Sequence, residues 1–323
     1  MRKILYVIAF LIMSALSVQA RQNHELSFKV RASFQHNQEK TGFVGDYFTL
    51  NGRGDIGAGF SYDFRHNFNV KIDRSDVFAA TDWIFLNYSP DGKWQFRAGK
   101  MVTDVGSIEY DAAAIDLYYT GEYWINAAGV FNFGVSAGYQ WEKDLLRFQV
   151  MRSPDSAWED RLFSYNLGWY GQHGCWKTIY SLNFFGMDGG RYMGQVGLGN
   201  LFSFGKAMLT LDLMSRSDMG SIRPFGSYSL VGEFKWNFSE KLDAFVRGTR
   251  DRNDGFARDF LVFDGTGCNK LGGGVEFRPI PAVRLHAYYY KRWGNIAGKS
   301  AELDVINLGV TWQIDILGLF GKQ

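Results

Sequence analysis

Cysteine, net charge and long apolar runs are all in short supply in this 323-residue chain, and each shortage excludes something. Two cysteines, Cys175 and Cys268, cannot make a disulfide framework. The formal charge is +2, and it falls to zero once Arg2 and Lys3 are set aside, leaving 33 basic against 33 acidic residues. A nucleic-acid partner calls for a basic excess on a domain or tail, so none is expected. The one apolar run of note, from Ile4 to Val18, is shorter than the ~20 residues of a membrane-spanning helix. Its positive start and the small residue at Ala20 read instead as a secretory signal peptide over residues 1–20. Residues 21–323 then form the mature protein as a single domain.

Chemical motifs are missing as well. No glycine-rich loop is spaced to cradle phosphate, and no His/Cys cluster has metal-ligand spacing. His286 sits between Leu285 and Ala287 with Arg284 close by, but no serine, cysteine or carboxylate signature accompanies it. It reads as a pore-lining residue. No catalytic site, metal or cofactor is expected.

What the chain has is aromatic residues, 17% of the total, with 38 glycines and a mean hydropathy of −0.19. Near-neutral hydropathy with so many aromatics suits a sheet with one apolar and one polar face. Strict period-two segments carry that signature. Leu26, Phe28, Val30, Ala32 and Phe34 alternate with Ser27, Lys29, Arg31 and Ser33, and Phe131, Phe133, Val135, Ala137 and Tyr139 repeat the pattern. Short breaks at 65–67, 90–93, 142–144, 172–174, 204–206, 239–241 and 279–282 alternate with longer ones, including a polar stretch at 249–269. Seven tight turns and eight long loops join sixteen strands. An even count with turns short on one side describes an all-β, antiparallel transmembrane β-barrel of the outer-membrane kind. A secreted soluble sandwich alternates too, with its apolar face turned to a core. In the barrel, Cys175 and Cys268 fall at opposite rims and stay unbridged.

One stretch, 96–124, breaks the rhythm. Alternation stops at Thr103 and resumes only at Phe131. So long a connection is functional or disordered, and this one is too aromatic for disorder. It holds Asp104, Glu109, Tyr110, Asp111, Asp116, Tyr118 and Glu122, with no basic residue from Met101 to Trp124. Folded into the lumen, it would narrow the channel and place carboxylates there. Strand parity turns Lys29, Arg31, Arg97, Arg147, Lys177, Arg247 and Arg284 inward as the opposing cations. Lys71, Lys235 and Arg278 share that parity with Asp55, Asp63, Asp73, Asp212, Glu233, Asp243 and Glu276.

Arg97-Ala98-Gly99-Lys100, Val105-Gly106, Glu109-Tyr110-Asp111 and Ile115-Asp116-Leu117-Tyr118 together resemble the phosphate-selective porin O and P family of Gram-negative outer membranes. The resemblance is clearest over residues 94–152. It implies a sixteen-stranded homotrimeric porin in outer-membrane lipid, with an inward-folded third loop and passive diffusion of small hydrophilic solutes or ions, phosphate and other anions included. The family's phosphate selectivity goes with a ladder of basic residues, and this loop has no dense basic run. A plugged structural or adhesin-type barrel and a barrel enzyme are the competing readings.

Overall fold

The computed structural model describes residues 24–70, 78–127, 131–155 and 162–320. The expected signal peptide, Lys71, Ile72 and Asp73 lie outside the described residues. Sixteen strands make up the fold: β1 (His24–Asn37), β2 (Thr41–Gly57), β3 (Phe60–Asn67), β4 (Thr81–Tyr88), β5 (Trp94–Val102), β6 (Phe131–Trp141), β7 (Asp144–Arg152) and β8 (Phe163–His173). They continue with β9 (Trp176–Met187), β10 (Arg191–Phe204), β11 (Ala207–Asp218), β12 (Ser227–Asn237), β13 (Leu242–Asn253), β14 (Thr266–Ile280), β15 (Val283–Ile296) and β16 (Leu303–Asp315). Each pairs antiparallel with its neighbours in the chain, and Lys299–Ser300 adds a two-residue pairing to β15. The first and last strands also pair, with Phe28 opposite Ile314 and Phe34 opposite Leu308. Closure leaves no open sheet edge, which is what allows strands to cross a membrane.

The two faces are opposite in kind. On β13 the outward Leu242 and Val246 are exposed, while the inward Asp243, Arg247, Thr249 and Asp251 are buried. Apart from a buried apolar cluster in which inward Phe185, Met193, Met214 and Val231 join Val105 and Tyr123, the same split runs round most of the ring, with apolar side chains exposed and polar ones buried. That is the inverse of a soluble sandwich. It follows from the solvent, since a charge facing hydrocarbon at the midplane costs roughly 2–4 kcal/mol.

The barrel and its strand count match the sequence reading, but the first hairpins do not. The first tight turn is at residues 58–59, and the residues at 65–67 lie within β3. Ala58 and Gly59 both take positive φ, 51° and 80°, as a two-residue hairpin turn requires. A two-residue turn preserves parity, so Ile56, Ala58, Phe60 and Tyr62 read as one strand across it. β2 itself was hidden because its outward positions include Gly45, Gly52 and Gly54, which carry no hydrophobic signal. Phe68 and Val70, read as a strand, follow β3 as a turn. On the long-loop side two connections, 38–40 and 188–190, are only three residues long. The polar stretch at 249–269 is in large part the ends of β13 and β14. The third connection on that side, from Val102 to Phe131, remains the longest. Cys175 is exposed at a short turn, Cys268 is buried in β14, and both are free.

Candidate functional site: the third loop against the inner wall

The third loop leaves β5 at Thr103 and runs along inward side chains of β7 to β11. The Asp104 amide donates to Gln149 Oε1 at 3.0 Å. The Asp104 carboxylate pairs with Arg147 at 3.2 Å and accepts the Tyr170 hydroxyl at 2.5 Å. Next, Asn183 Nδ2 donates to the Asp104 carbonyl at 2.6 Å and Gln195 Nε2 to the Val105 carbonyl at 3.2 Å. The backbone comes close enough to the wall to need glycine there. A Cβ on Gly197 would stand 2.9 Å from Gly106 Cα, and one on Gly199 would stand 2.8 Å from the Ile108 nitrogen. The weak, glycine-rich pattern of β10 is thus the seat of the loop.

Two short helices follow, α1 (Ile108–Asp111) and α2 (Glu122–Asn126), with a 3-10 turn at Ala114–Asp116 between them. A helix start leaves backbone N–H groups without partners, and here the barrel wall supplies the acceptors. Asp212 of β11 accepts from the Ile108 and Glu109 amides at 3.0 and 2.9 Å and from Ser107 Oγ at 2.8 Å. Asp251 of β13 accepts from the Glu122 amide at 2.8 Å. Parity alone marked Asp212 as inward, with no hint that it caps a helix. Asp251 was missed because it fell in the supposed loop.

Every acid of the loop meets a base of the wall. Glu109 is bonded by Arg247 of β13, which also holds Glu233 at 2.7 Å. Glu122 pairs with Lys270 of β14 at 2.8 Å, Asp111 with Lys177 of β9 at 3.2 Å, and Asp116 with Arg284 of β15 at 2.7 Å. Arg31 of β1 donates to the Ile115 and Leu117 carbonyls at 3.0 and 2.7 Å, and Arg284 donates to the same Ile115 carbonyl at 2.8 Å. Two kinds of carboxylate result. Asp104, Glu109 and Glu122 are buried, whereas the Asp111 and Asp116 side chains are 43% and 53% exposed.

Five of the seven cations singled out from sequence, Arg31, Arg147, Lys177, Arg247 and Arg284, therefore touch the loop. The other two stand apart. Lys29 lies on β1 between Thr49 and Gln313, and the Arg97 guanidinium lies 5.1 Å from the Phe85 ring. Lys270 was missed. Continuing the polar alternation of Arg247, Thr249, Asp251 and Asn253 past Gly248 would have extended β13 and revealed β14 beside it.

The loop tyrosines pack rather than titrate. Tyr118 stacks between Phe245 and His286, with ring centroids at 5.4 and 4.6 Å, and donates to Glu276 at 2.6 Å. Burial, with the Glu276 carboxylate beside it, pushes its phenol well up, so it remains a neutral donor. Burial likewise raises Tyr110, which lies 6.4 Å from the Phe131 ring. The Tyr119 hydroxyl donates to the Arg247 carbonyl at 2.6 Å. His286 is buried behind Tyr118, with Nε2 3.1 Å from Asn307 Oδ1, and so does not line a pore as expected. Among the described residues no His, Cys, Asp and Glu side chains group to hold a metal.

Comparison with known proteins bears on this arrangement. The family described as phosphate-selective porin O and P matches residues 18–169, which contain the stretch that carried the resemblance. No curated protein sequence matches the chain. The fold is similar to the anion-selective porin of Comamonas acidovorans, with TM-score 0.66 and 10% identity over 90% of this chain and 99% of that one. It is similar also to OmpF of Salmonella typhi, solved with daunomycin, at TM-score 0.63 and 10% identity over 92% and 99%. OmpT of Vibrio cholerae, in a trimer form, has TM-score 0.61 and 10% identity over 90% and 99%.

Proposed function

We propose that this chain, a Gram-negative outer-membrane porin and so a diffusion channel rather than an enzyme, narrows its channel with the third loop folded into the lumen. One observation carries the reading. The loop bonds inward side chains of β7, β8 and β9 on one side and of β1, β14 and β15 on the other. A segment outside the ring could not reach both. A sixteen-stranded barrel is wider than its wall side chains can fill, and we infer that the passage left by the loop runs along β2 to β5. There a cavity of about 430 Å³ is lined by Arg53, Asp63, Asn87 and Arg97.

Selectivity for phosphate does not follow from this wall. Six of its cations are occupied by the loop, three of them, Arg147, Arg247 and Lys270, in ion pairs with buried carboxylates. Among the described residues, Lys29 and Arg97 alone of the seven cations singled out from sequence do not contact the loop. The charges that solvent reaches on the loop are Asp111 and Asp116. We infer a channel for small hydrophilic solutes of either sign, biased slightly toward cations, since low-dielectric walls strengthen the field of the two carboxylates. Replacing both by asparagine is expected to move the zero-current potential in a planar bilayer under a KCl gradient toward anions. An unchanged potential would place both residues off the ion path.

We also infer a homotrimer, as a Vibrio cholerae porin of this fold was solved in a trimer form. Gly45 leaves open space on the outward face of β2 beside the exposed rings of Phe43 and Phe48, whereas Gly52 and Gly54 are covered by the Phe64 and His24 rings, and this apolar stretch is surface that another barrel can cover. Native mass spectrometry of the detergent-extracted protein should give three times the mass of the mature chain. A monomer mass under mild extraction would refute it.

A further inference from the structure

The outward face is apolar almost throughout; its charged exceptions include Lys100 on β5 and Arg152 on β7 singly, and a group on β13 to β15. On β13 the outward series Leu242, Ala244, Val246, Gly248 gives way to Arg250 and Arg252 near the long-loop rim. Two strands away on β15, Leu285, Ala287 and Tyr289 give way to Lys291 and Trp293. Outward positions toward the same rim on β8, β10 and β11 hold Tyr165, Tyr192, Ser215 and Ser217, none of them charged.

Register places β14 between the two basic strands as a shallow floor. Arg250 is opposite Asn269, and Asn269 is opposite Trp293, while Lys291 is opposite Leu271 and Arg252 is opposite Gly267. From ordinary strand spacing and rise, the Cα atoms of Arg250 and Lys291 lie roughly 12 Å apart, within the joint reach of two long side chains over Asn269. The space is open there, because a Cβ on Gly267 would meet nothing within 4 Å. Both cations are exposed. Arg252 already has Asp254 at 2.5 Å, but no carboxylate lies within ion-pair distance of Arg250 or Lys291 among the described residues. The carboxylate facing Lys291, Asp304, is held by Tyr289 at 2.6 Å and Gln38 at 2.9 Å.

Outward cations are costly at the midplane and nearly free at the interface, so this patch belongs at headgroup level, where Trp293 and Tyr289 also sit well. We propose that Arg250, Lys291 and the Asn269 amide form a surface site for the phosphate of an outer-leaflet lipid, a phosphorylated glycolipid. A phosphate oxygen takes charge-assisted bonds from the guanidinium and the ammonium and a third bond from the amide, while the acyl chains lie along Leu271 and Val275 beneath, exposed at 52% and 47%. The site rests on the outer-membrane location and on the long loops facing outward, and is independent of the constriction.

The test titrates the purified mature protein in detergent with bisphosphorylated lipid A and with the same lipid stripped of phosphate, read by native mass spectrometry. Wild type should hold the phosphorylated form about tenfold or more tightly than the stripped one, and R250Q/K291Q should lose that margin. R250K should keep most of it. Unchanged conductance and heat-modifiable gel mobility will show that the double variant is folded. Equal binding by wild type and R250Q/K291Q overturns the site. Displacement of the lipid by inorganic phosphate at the same concentration would reduce it to a site for free phosphate, and preference for phosphatidylglycerol over lipid A would place the patch in the inner leaflet. Either result also overturns the proposal.

Discussion

Deleting residues 106–118 should raise single-channel conductance by about twofold or more, given the width that sixteen strands enclose without an insertion. The barrel should tolerate the cut. β5 and β6 are directly paired, with Met101 opposite Asn132, so what is left of the loop has only a strand spacing to bridge. The deletion removes α1, the 3-10 turn and Tyr118, the segment that Arg31 and Arg284 hold by its carbonyls. It also removes Glu109, Asp111 and Asp116, leaving Arg247, Lys177 and Arg284 without their loop partners. Conductance and anion preference should therefore rise together in planar-bilayer recordings. If neither changes, the loop does not stand in the passage and the constriction reading is wrong. A rise in conductance alone would keep the constriction but show that these cations are out of the ion path.

The second large effect is expected at Arg247, whose guanidinium holds Glu109 and Glu233 together. The Glu109 side chain is 0% exposed in that pair. Removing one partner of a buried ion pair leaves the other charge uncompensated, at a cost of ~3–5 kcal/mol. R247A should accordingly lower the midpoint of heat modification on gels and add open-channel noise as the loop detaches. Replacing both partners, as in E109L/R247L, should recover most of the loss, because a well-packed apolar pair is often as stable as a buried ion pair. Glu233 is 24% exposed and can take up water instead. Should E109L/R247L prove no more stable than R247A, the loss would come from something other than a stranded Glu109.

Much of the architecture could be read from residue order because one face of each strand meets lipid. Hydrocarbon enforces Leu242, Ala244 and Val246 on one side and Asp243 and Arg247 on the other, and the alternation survives whatever the tertiary details. The place where it stops, at Thr103, was legible for the same reason. Alternation conceals a turn that keeps the parity, as at Ala58 and Gly59, and a strand whose outward side chains are glycine, as on β2. It conceals also a strand continued by polar residues, as at Asp251 and Lys270.

Residue order alone settled the barrel architecture and the acidity of the third loop, and reached sixteen strands because the hidden β2 and the strand read at Phe68 and Val70 offset each other. It could not say which carboxylate meets which base. Asp116 and Arg284 are 168 positions apart, and Glu109 and Arg247 are 138 apart. Only closure of the ring between β1 and β16 carries β13, β14 and β15 round to the loop. The same closure turned Asp212 and Asp251 into helix caps and divided five like-looking acids into three that are buried with a partner and two that solvent can reach. Lipid acts on each strand separately, so its imprint is local and visible in sequence; ion pairs between the loop and distant strands depend on how far apart the strands of the finished ring stand, and no single strand records that distance.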